Sequence, residues 1–253
     1  MTVLSLSAHA TEGGHFYYPD GKPAYTIQGK KGIRPTTKKD AKKLGLYPSV
    51  TTIIAEASSY GLENYKINQA IEAALTLPRH EGENSADYIK RVRHDAKEHA
   101  RIRAEEGTAI HAAIQAGFEG KRLSWEDRRY YTIAATEVKE KLGTQEWECE
   151  KSFAIKVRDC GFGGKVDLHN DIYLLDIKSK EGSLDDIKLY DNHYMQISSY
   201  RAGLNLPNVS CGILFISTNK NEAKLILADE ADLTRGLGMF RALLEYWYSK
   251  YKF

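Results

Sequence analysis

Long apolar runs are missing from this sequence, and only three of its 253 residues are cysteines. A helix that crosses a bilayer needs about 20 consecutive apolar residues, so we expect neither a membrane segment nor a membrane partner. The N-terminus also lacks the basic-then-apolar order of a secretory signal peptide. Together these absences predict a cytoplasmic protein.

The three cysteines, Cys149, Cys160 and Cys211, are odd in number and far apart. Such spacing suits neither a disulfide framework nor a tetrahedral cysteine zinc site, so it predicts free, buried thiols. Apolar residues make up 42% of the chain and charged residues 28%, which is ordinary for a globular protein. The net charge of +2 neither requires nor excludes a polyanionic partner, because binding depends on where the charge lies.

Positive charge is concentrated in residues 30–43. This stretch has seven lysines and arginines against one acidic residue, Asp40, a local excess of six positive charges. It is either a solvated loop or an arm that contacts phosphate groups. The candidate contact residues are Lys38, Lys39, Lys42 and Lys43.

Turn and capping residues mark the first elements of the chain. The sequence Pro-Asp-Gly at 19–21 separates two aromatic runs, which predicts a small hairpin within residues 13–30. Ser49 or Thr51 would cap a helix that starts near Thr52.

Two longer helices follow. Residues 85–119 carry apolar side chains at helical spacing and predict one long helix, or two joined at Gly107. Ser124 resembles the start of a capping box, and the helix that it opens would end at Gly143.

The second half changes to strands. Strands are predicted at 146–158, 163–169 and 172–178 as an antiparallel meander, then a helix at 184–204. Strands at 211–217 and 223–228 and a helix at 230–250 complete the chain. The order predicts an α+β or α/β fold in one domain, with residues 1–104 as an N-terminal hairpin and helical extension and residues 105–253 as the core.

Charges interrupt the most apolar hairpin of this half. Asp176 and Lys178 are two apart on a strand and share a face, and Asp167 ends the preceding strand. A surface ion pair, which contributes little to stability, would explain these charges. Their apolar neighbours favour burial instead, and a divalent cation commonly compensates buried carboxylates. Carboxylate oxygens with the carbonyl of Ile177 form the oxygen-rich set that Mg²⁺ or Mn²⁺ prefers.

Two helices add polar residues. Gln196 and Tyr200 are four apart and share a helix face, although Tyr200 in the core and Gln196 in solvent would also fit. His111 lies on the long helix, where a lone histidine is usually structural. As a nitrogen ligand beside carboxylates, His111 would shift preference towards Mn²⁺.

In chain order these residues form the patterns G-x-x-x-H, G-x-x-D, D-x-K and Q-x-x-x-Y. That order resembles the PD-(D/E)XK nuclease superfamily, specifically its RecB-like exonuclease branch, over residues 105–228. The segment YPSVTTII, residues 47–54, is similar to the P-S-V-T segment of mitochondrial genome maintenance exonucleases and related phage exonucleases.

The resemblance implies a mixed central sheet flanked by helices, with His111, Asp167, Asp176 and the Ile177 carbonyl binding one or two Mg²⁺ or Mn²⁺ ions. Lys178 would be the catalytic lysine. Gln196 and Tyr200 would line the site, hold the DNA strand or orient Lys178. Some relatives carry an iron–sulfur cluster on four cysteines, but no cysteine follows Cys211 here, so we expect no cluster.

The expected activity is metal-dependent hydrolysis of DNA at single-stranded or duplex ends, in phage or bacterial recombination, repair or replication. A recombinase or a single-strand-binding protein is a candidate partner. Alternatives are a structure-specific endonuclease of the same superfamily, a non-catalytic DNA-binding protein that keeps the fold, and a structural protein whose D-x-K is an ion pair. Two further candidate DNA contacts are the helix segment at 88–103 and the aromatic side chains Phe16, Tyr17, Tyr18 and Tyr25.

Overall fold

The computed structural model describes residues 14–57 and 60–253. The chain divides into two compact units, residues 57–109 and the remainder. Helix α3 (Tyr60–Thr76) and most of α4 (Ser85–Phe118) form the smaller unit, in which Arg91 holds Glu83 through a contact of 2.7 Å. The predicted helix over 85–119 is one continuous helix, Ser85–Phe118, and Gly107 does not interrupt it.

The larger unit is built on a five-stranded sheet. Its strands are β5 (Glu148–Val157), β6 (Cys160–His169), β7 (Tyr173–Lys180), β8 (Ser210–Ser217) and β9 (Ala223–Leu227), in that order across the sheet. All neighbours are antiparallel except β7 and β8, which are parallel. The parallel pair requires a crossover, and α6 (Asp191–Gly203) supplies it. This mixed sheet confirms the predicted α/β class and the meander of the first three strands.

Helices flank the sheet. Helix α5 (Trp125–Leu142) and the end of α4 pack on one side, where Ile114, Val138, Leu175 and Ile177 share a buried cluster. The crossover helix α6 packs against α7 (Glu230–Tyr251), whose largest buried side chain is Trp247. Ser124 and Gly143 cap α5 as predicted.

The predicted N-terminal hairpin forms over a short span. The turn at 19–21 is present, with Gly21 N–H donating to the Tyr18 carbonyl, and across it Tyr17 bridges Pro23 in the antiparallel sense. However, β1 (Phe16–Tyr17) pairs with β4 (Tyr47–Pro48), while β2 (Thr26–Gly29) pairs with β3 (Gly32–Pro35). Tertiary packing decides the pairing, because Phe16 is fully buried and its strand lies against β6.

The basic stretch is not a loop. It contains β3 and the helix α1 (Lys38–Leu44), which Thr37 caps by accepting a hydrogen bond from Asp40 N–H. Asp40 also binds Arg34 at 2.7 Å, so the one acidic residue of the stretch folds it locally. The short helix α2 (Val50–Ile54) follows, capped by Ser49 as predicted.

Two other boundaries differ from prediction, as does the burial of the cysteines. Helix α6 begins at Asp191 rather than at 184, because Glu222 and Lys224 of the sheet edge bind the main chain at Leu184 and hold it as a loop. Strand β6 begins at Cys160 rather than at 163, because residues 160–162 pair with β5 in register. Of the cysteines, Cys211 is buried, whereas Cys149 and Cys160 keep partial exposure; all three are free.

Among residues 14–57 and 60–253, every helix is too short or too polar to cross a membrane.

Candidate active site

The site lies where β6 and β7 separate. Their ladder consists of two register pairs, His169 with Leu174 and Leu168 with Leu175. One step further the same register would place Asp167 opposite Asp176. There the Asp167 carboxylate takes the place of a backbone partner and accepts a hydrogen bond of 2.7 Å from Ile177 N–H. The two predicted carboxylates therefore meet at the fork between the strands.

Asp176 is buried and holds a polar network. Its Oδ2 lies 2.8 Å from Lys178 Nζ, and its Oδ1 accepts a hydrogen bond of 2.7 Å from Gln196 Nε2. The same amide nitrogen donates to the Tyr200 hydroxyl at 2.9 Å. The predicted polar face of α6 is thus turned inward, and it reaches both the acidic residue and the phenol.

His111 approaches from α4. Its Nδ1 lies 3.5 Å from Asp167 Oδ2, and both side chains are partly covered. The site therefore brings together five predicted side chains from two strands and two helices, with Tyr200 behind Gln196. The contacts between Asp176 and Lys178 and between Gln196 and Tyr200 are local in sequence, whereas the others join separate elements.

Burial and charge act against each other on the two carboxyl groups. Burial raises the pKa of Asp167, but His111, the Ile177 N–H and Lys178 outweigh it, so the pKa lies below its ordinary value. Burial raises the pKa of Asp176, and the charge of Asp167 adds to that increase against the opposing effect of Lys178. Neighbouring carboxylates with divergent pKa values are common at functional sites.

Lys178 remains a cation. Burial lowers the pKa of its ammonium, but the attraction of Asp176 is stronger and the pKa lies above its ordinary value. Burial also raises the pKa of Tyr200 well above its ordinary value, so the phenol stays protonated. In this arrangement Lys178 neutralises Asp176, and Tyr200 can offer its proton as a donor.

Gly164 shows why a glycine precedes Asp167 in the pattern. A Cβ on Gly164 would lie 2.8 Å from ring atoms of both Phe153 and Tyr200. Atoms this close would overlap, so the absence of a side chain lets Tyr200 pack against the strand. Gly163 accommodates Tyr17 in the same way, at 2.6 Å.

The donor set suits a hard divalent cation. Asp176 Oδ2 is buried without a well-aligned hydrogen bond among the described residues, and its charged neighbour is Lys178. Two carboxylates and one imidazole match the preference of Mg²⁺ and, with the nitrogen, Mn²⁺. In the described ranges, however, no three His, Cys, Asp or Glu side chains converge into one ready-made metal cluster. The carboxylates are engaged by His111 and Lys178 instead. For Ile177, the contact that the structure shows at the site is its N–H on Asp167.

Two residues near the site escaped the sequence patterns. His193 lies on α6 one turn before Gln196, and burial with the charge of Lys178 lowers its pKa to about 4. Its Nδ1 accepts a hydrogen bond from Tyr190 N–H. Lys165 lies two residues before Asp167 and contacts Glu150. The spacing of three residues between His193 and Gln196 could have indicated that they share a helix face. The contact of Lys165 with Glu150, by contrast, depends on strand pairing.

Four of the predicted DNA contacts are lysines of α1. Lys38 Nζ lies 3.6 Å from the ring centroid of Tyr251, and Lys42 donates to the carbonyl of Lys252. Lys39 and Lys43 are exposed on the same helix. Tyr200, also predicted to bind DNA, is only 5% exposed.

The four aromatic side chains predicted to contact DNA also differ in their exposure to solvent. Phe16 and Tyr17 are buried and therefore closed to base stacking, whereas Tyr18 is 40% exposed. Tyr25 is half-buried, and its hydroxyl lies 2.6 Å from that of Tyr17. Of the four rings, Tyr18 is the one that solvent reaches most.

Comparisons with known proteins give distant likenesses. No family model and no curated protein matches the chain. A crystal structure of a "putative exonuclease" from Eubacterium rectale aligns with a TM-score of 0.41 and 12% identity, over 53% of this chain and 63% of that one. The chain thus spans less than two thirds of that protein. The crystal structure of SSO0001 aligns with a TM-score of 0.31 and 16% identity, over 72% and 86% of the two chains.

Proposed function

We propose that this protein is a metal-dependent deoxyribonuclease that hydrolyses phosphodiester bonds at DNA ends. The observation that supports the proposal is the junction of Asp167, Asp176 and Lys178 at the fork of β6 and β7, with Gln196 bound to Asp176 at 2.7 Å. A surface ion pair would not explain it, because Asp176 is only 3% exposed.

Asp167, Asp176 and His111 are the residues that would hold Mg²⁺ or Mn²⁺. When bound, such an ion supplies a water of lowered pKa and polarises the phosphoryl oxygen. Lys178 places a positive charge at the rim of the same site, where charge would develop on the phosphate. Gln196 fixes Asp176 through one amide hydrogen and contacts Tyr200 with the same nitrogen.

Acyl-transfer chemistry fits less well. It requires an activated nucleophile next to a base, and the buried Cys211 has its pKa raised to about 12 by its surroundings, chiefly burial. Its thiol is therefore protonated at neutral pH. Hydrolysis assisted by a metal needs no such nucleophile from the chain.

The decisive experiment compares linear and closed circular DNA, both labelled, with Mg²⁺, Mn²⁺ or a chelator. We expect metal-dependent release of nucleotides from the linear DNA and intact circles. The Asp176→Ala variant should be inactive on both. Cleavage of circles would replace the exonuclease proposal by the endonuclease alternative. Metal-independent binding without any cleavage would favour a non-catalytic DNA-binding protein.

The proposed setting is DNA recombination, repair or replication in a bacterium or a phage-infected cell. A single-strand-binding protein or a recombinase would be a natural partner, because such proteins occupy the single strands that an end-directed nuclease exposes or consumes. Co-elution of the purified proteins on a shared DNA substrate would test this part.

A further inference from the structure

A second charged pair lies beside the carboxylates. Lys165 and Glu150 form an ion pair across β5 and β6, and their side chains are only 35% and 22% exposed. Lys165 precedes Asp167 by two residues, so the two lie on the same side of β6, roughly 6.6 Å apart along the strand.

The backbone at Glu150 is unusual. Four described non-glycine residues have a positive φ; Arg158, Asn205 and Lys252 lie in turns or at helix ends, and Glu150, at 57°, lies inside a strand. Left-handed backbone is unfavourable for a residue with a Cβ. Such strain persists where surrounding structure enforces it, and it is concentrated at functional sites.

The irregularity lies at one position of the sheet. Register pairs between β5 and β6 run to Cys149 with Leu168 and resume at Lys151 with Val166. The skipped position would join Glu150 to Asp167. Since the β6–β7 ladder also ends just before Asp167, the chain is released on both sides of this carboxylate. The irregular backbone of Glu150 therefore lies opposite Asp167, at the position where the pairing is interrupted.

From this geometry we infer that Lys165 forms a phosphate subsite for the DNA strand, with Glu150 as its positioning residue. The inference rests on the proposed function. A phosphate next to the one being hydrolysed lies one backbone repeat away along the strand, a spacing comparable to that between Lys165 and Asp167. A partly covered ammonium is a strong phosphate contact because little water has to be displaced from it. Glu150 holds the Lys165 side chain in position when DNA is absent.

The chain contains a matched control. Lys151 lies on the same pair of strands and also forms an ion pair, with Glu148 at 3.4 Å, but both of its members are more than half exposed. Lys151→Met and Lys165→Met therefore remove the same charge from the same sheet. They differ in burial and in distance from Asp167.

The experiment measures binding of a fluorescently labelled single-stranded oligonucleotide by anisotropy, with Ca²⁺ replacing the catalytic ion, over a series of KCl concentrations. Lys165→Met should weaken binding about tenfold at low salt and reduce the salt slope by about one, as expected for loss of one phosphate contact. Lys165→Arg should retain most of the slope. Lys151→Met should match the wild type. In Mg²⁺, Lys165→Met should raise KM more than it lowers kcat.

Each outcome decides the question. An unchanged salt slope in Lys165→Met overturns the subsite, even if cleavage by the wild type supports the nuclease proposal. If the wild type neither binds nor cleaves DNA, both proposals fall. Lys165→Gln, which keeps a hydrogen bond to Glu150, replaces the Met variant if thermal unfolding shows that the latter is not folded. Equal losses in Lys151→Met and Lys165→Met would mean general electrostatics and would also overturn the subsite.

Discussion

Ile177 donates its backbone N–H to the Asp167 carboxylate at 2.7 Å, directly after the last register pair of β6 and β7. The Asp167 side chain therefore accepts the hydrogen bond that a backbone carbonyl would accept in a continuous ladder, and the pairing of β6 with β7 ends there. This hydrogen bond also favours the charged form of Asp167 against its burial. The same contact thus opens the strands and keeps a negative charge at the opening.

The Gln196 amide contacts both Asp176 and Tyr200, so its loss should lower both the stability and the activity of the protein. Gln196→Leu removes the donor to buried Asp176 Oδ1 and should cost about 1–3 kcal/mol of unfolding free energy. Cleavage should fall by at least tenfold. Tyr200→Phe removes only the partner hydroxyl and should have the smaller effect on both. Urea unfolding and initial cleavage rates measure the two effects; a Tyr200→Phe variant less active than Gln196→Leu would contradict this order.

Gly164 should not tolerate a side chain. Gly164→Ala puts a Cβ 2.8 Å from the rings of Phe153 and Tyr200, and such overpacking costs about 1–3 kcal/mol. Because Tyr200 must move, cleavage should also fall. Gly238→Ala is the matched control: this glycine lies in α7 with nothing within 4 Å of the added Cβ, and the change should stabilise the fold by about 0.5–1 kcal/mol. Equal thermal midpoints for the two variants would refute the packing argument.

Sequence patterns predicted which residues meet at the candidate site, because these residue types stand at fixed local spacing. Asp176 and Lys178 share one face of a strand, and Gln196 and Tyr200 are one helical turn apart. The proximity of each pair could therefore be predicted from its spacing, without knowledge of the fold. The pairing of β1 with β4 could not be found in this way. Phe16 and Tyr17 precede a clear turn signal at 19–21, yet their partners in this ladder lie at 47 and 48.

The start of α6 and the Glu150 conformation escaped prediction for a related reason. Leu184 is kept out of the helix by side chains that lie 38 and 40 residues later in the chain. Glu150 has its positive φ opposite Asp167, at a position that only the paired sheet defines. Propensity carries no information about contacts at such separations.

Divalent cations should stabilise the folded protein. If Mg²⁺ or Mn²⁺ binds Asp167 and Asp176 only in the fold, a concentration of 100 Kd adds about 2.7 kcal/mol to the unfolding free energy. Mn²⁺ should raise the thermal midpoint more than Mg²⁺ at equal concentration, because His111 supplies nitrogen. Asp167→Asn should abolish the shift, while Asp185→Asn, on an exposed loop, should preserve it. A shift that survives in Asp167→Asn would place the ion elsewhere.

The four lysines of α1 should separate into two pairs. Lys38 and Lys42 contact the C-terminal residues Tyr251 and Lys252, so their replacement by alanine should lower the thermal midpoint. Lys39 and Lys43 are exposed and one turn apart, so they present the charge of α1 to a phosphate backbone. Lys39→Ala with Lys43→Ala should weaken DNA binding and flatten its salt dependence without changing stability. Unchanged binding in this second pair would remove α1 from the DNA surface.

Both members of the ion pair between Asp176 and Lys178 should be needed for activity, whereas stability should suffer only when one of the two charges is left without the other. Lys178→Met leaves a buried carboxylate beside Asp167, which should destabilise the fold. The loss should fall below the roughly 3–5 kcal/mol of a fully buried pair, because a third of the Lys178 side chain is exposed. Adding Asp176→Asn removes the isolated charge and should restore most of the stability, while both variants stay inactive.

The pH dependence of that loss has a definite sign. In the unfolded chain Asp176 titrates near pH 4, and in the fold its pKa is raised by burial, the effect of Asp167 adding to it. Removal of Lys178 raises it further. In the Lys178→Met variant, the Asp176 carboxyl group is protonated and uncharged below pH 4. The fold loses stability as the pH rises from there towards the pKa of Asp176 in the folded protein. Urea unfolding at pH 4 and pH 7 should therefore show the gap between the single and the double variant widening with pH; a gap that narrows would contradict the burial of an uncompensated charge.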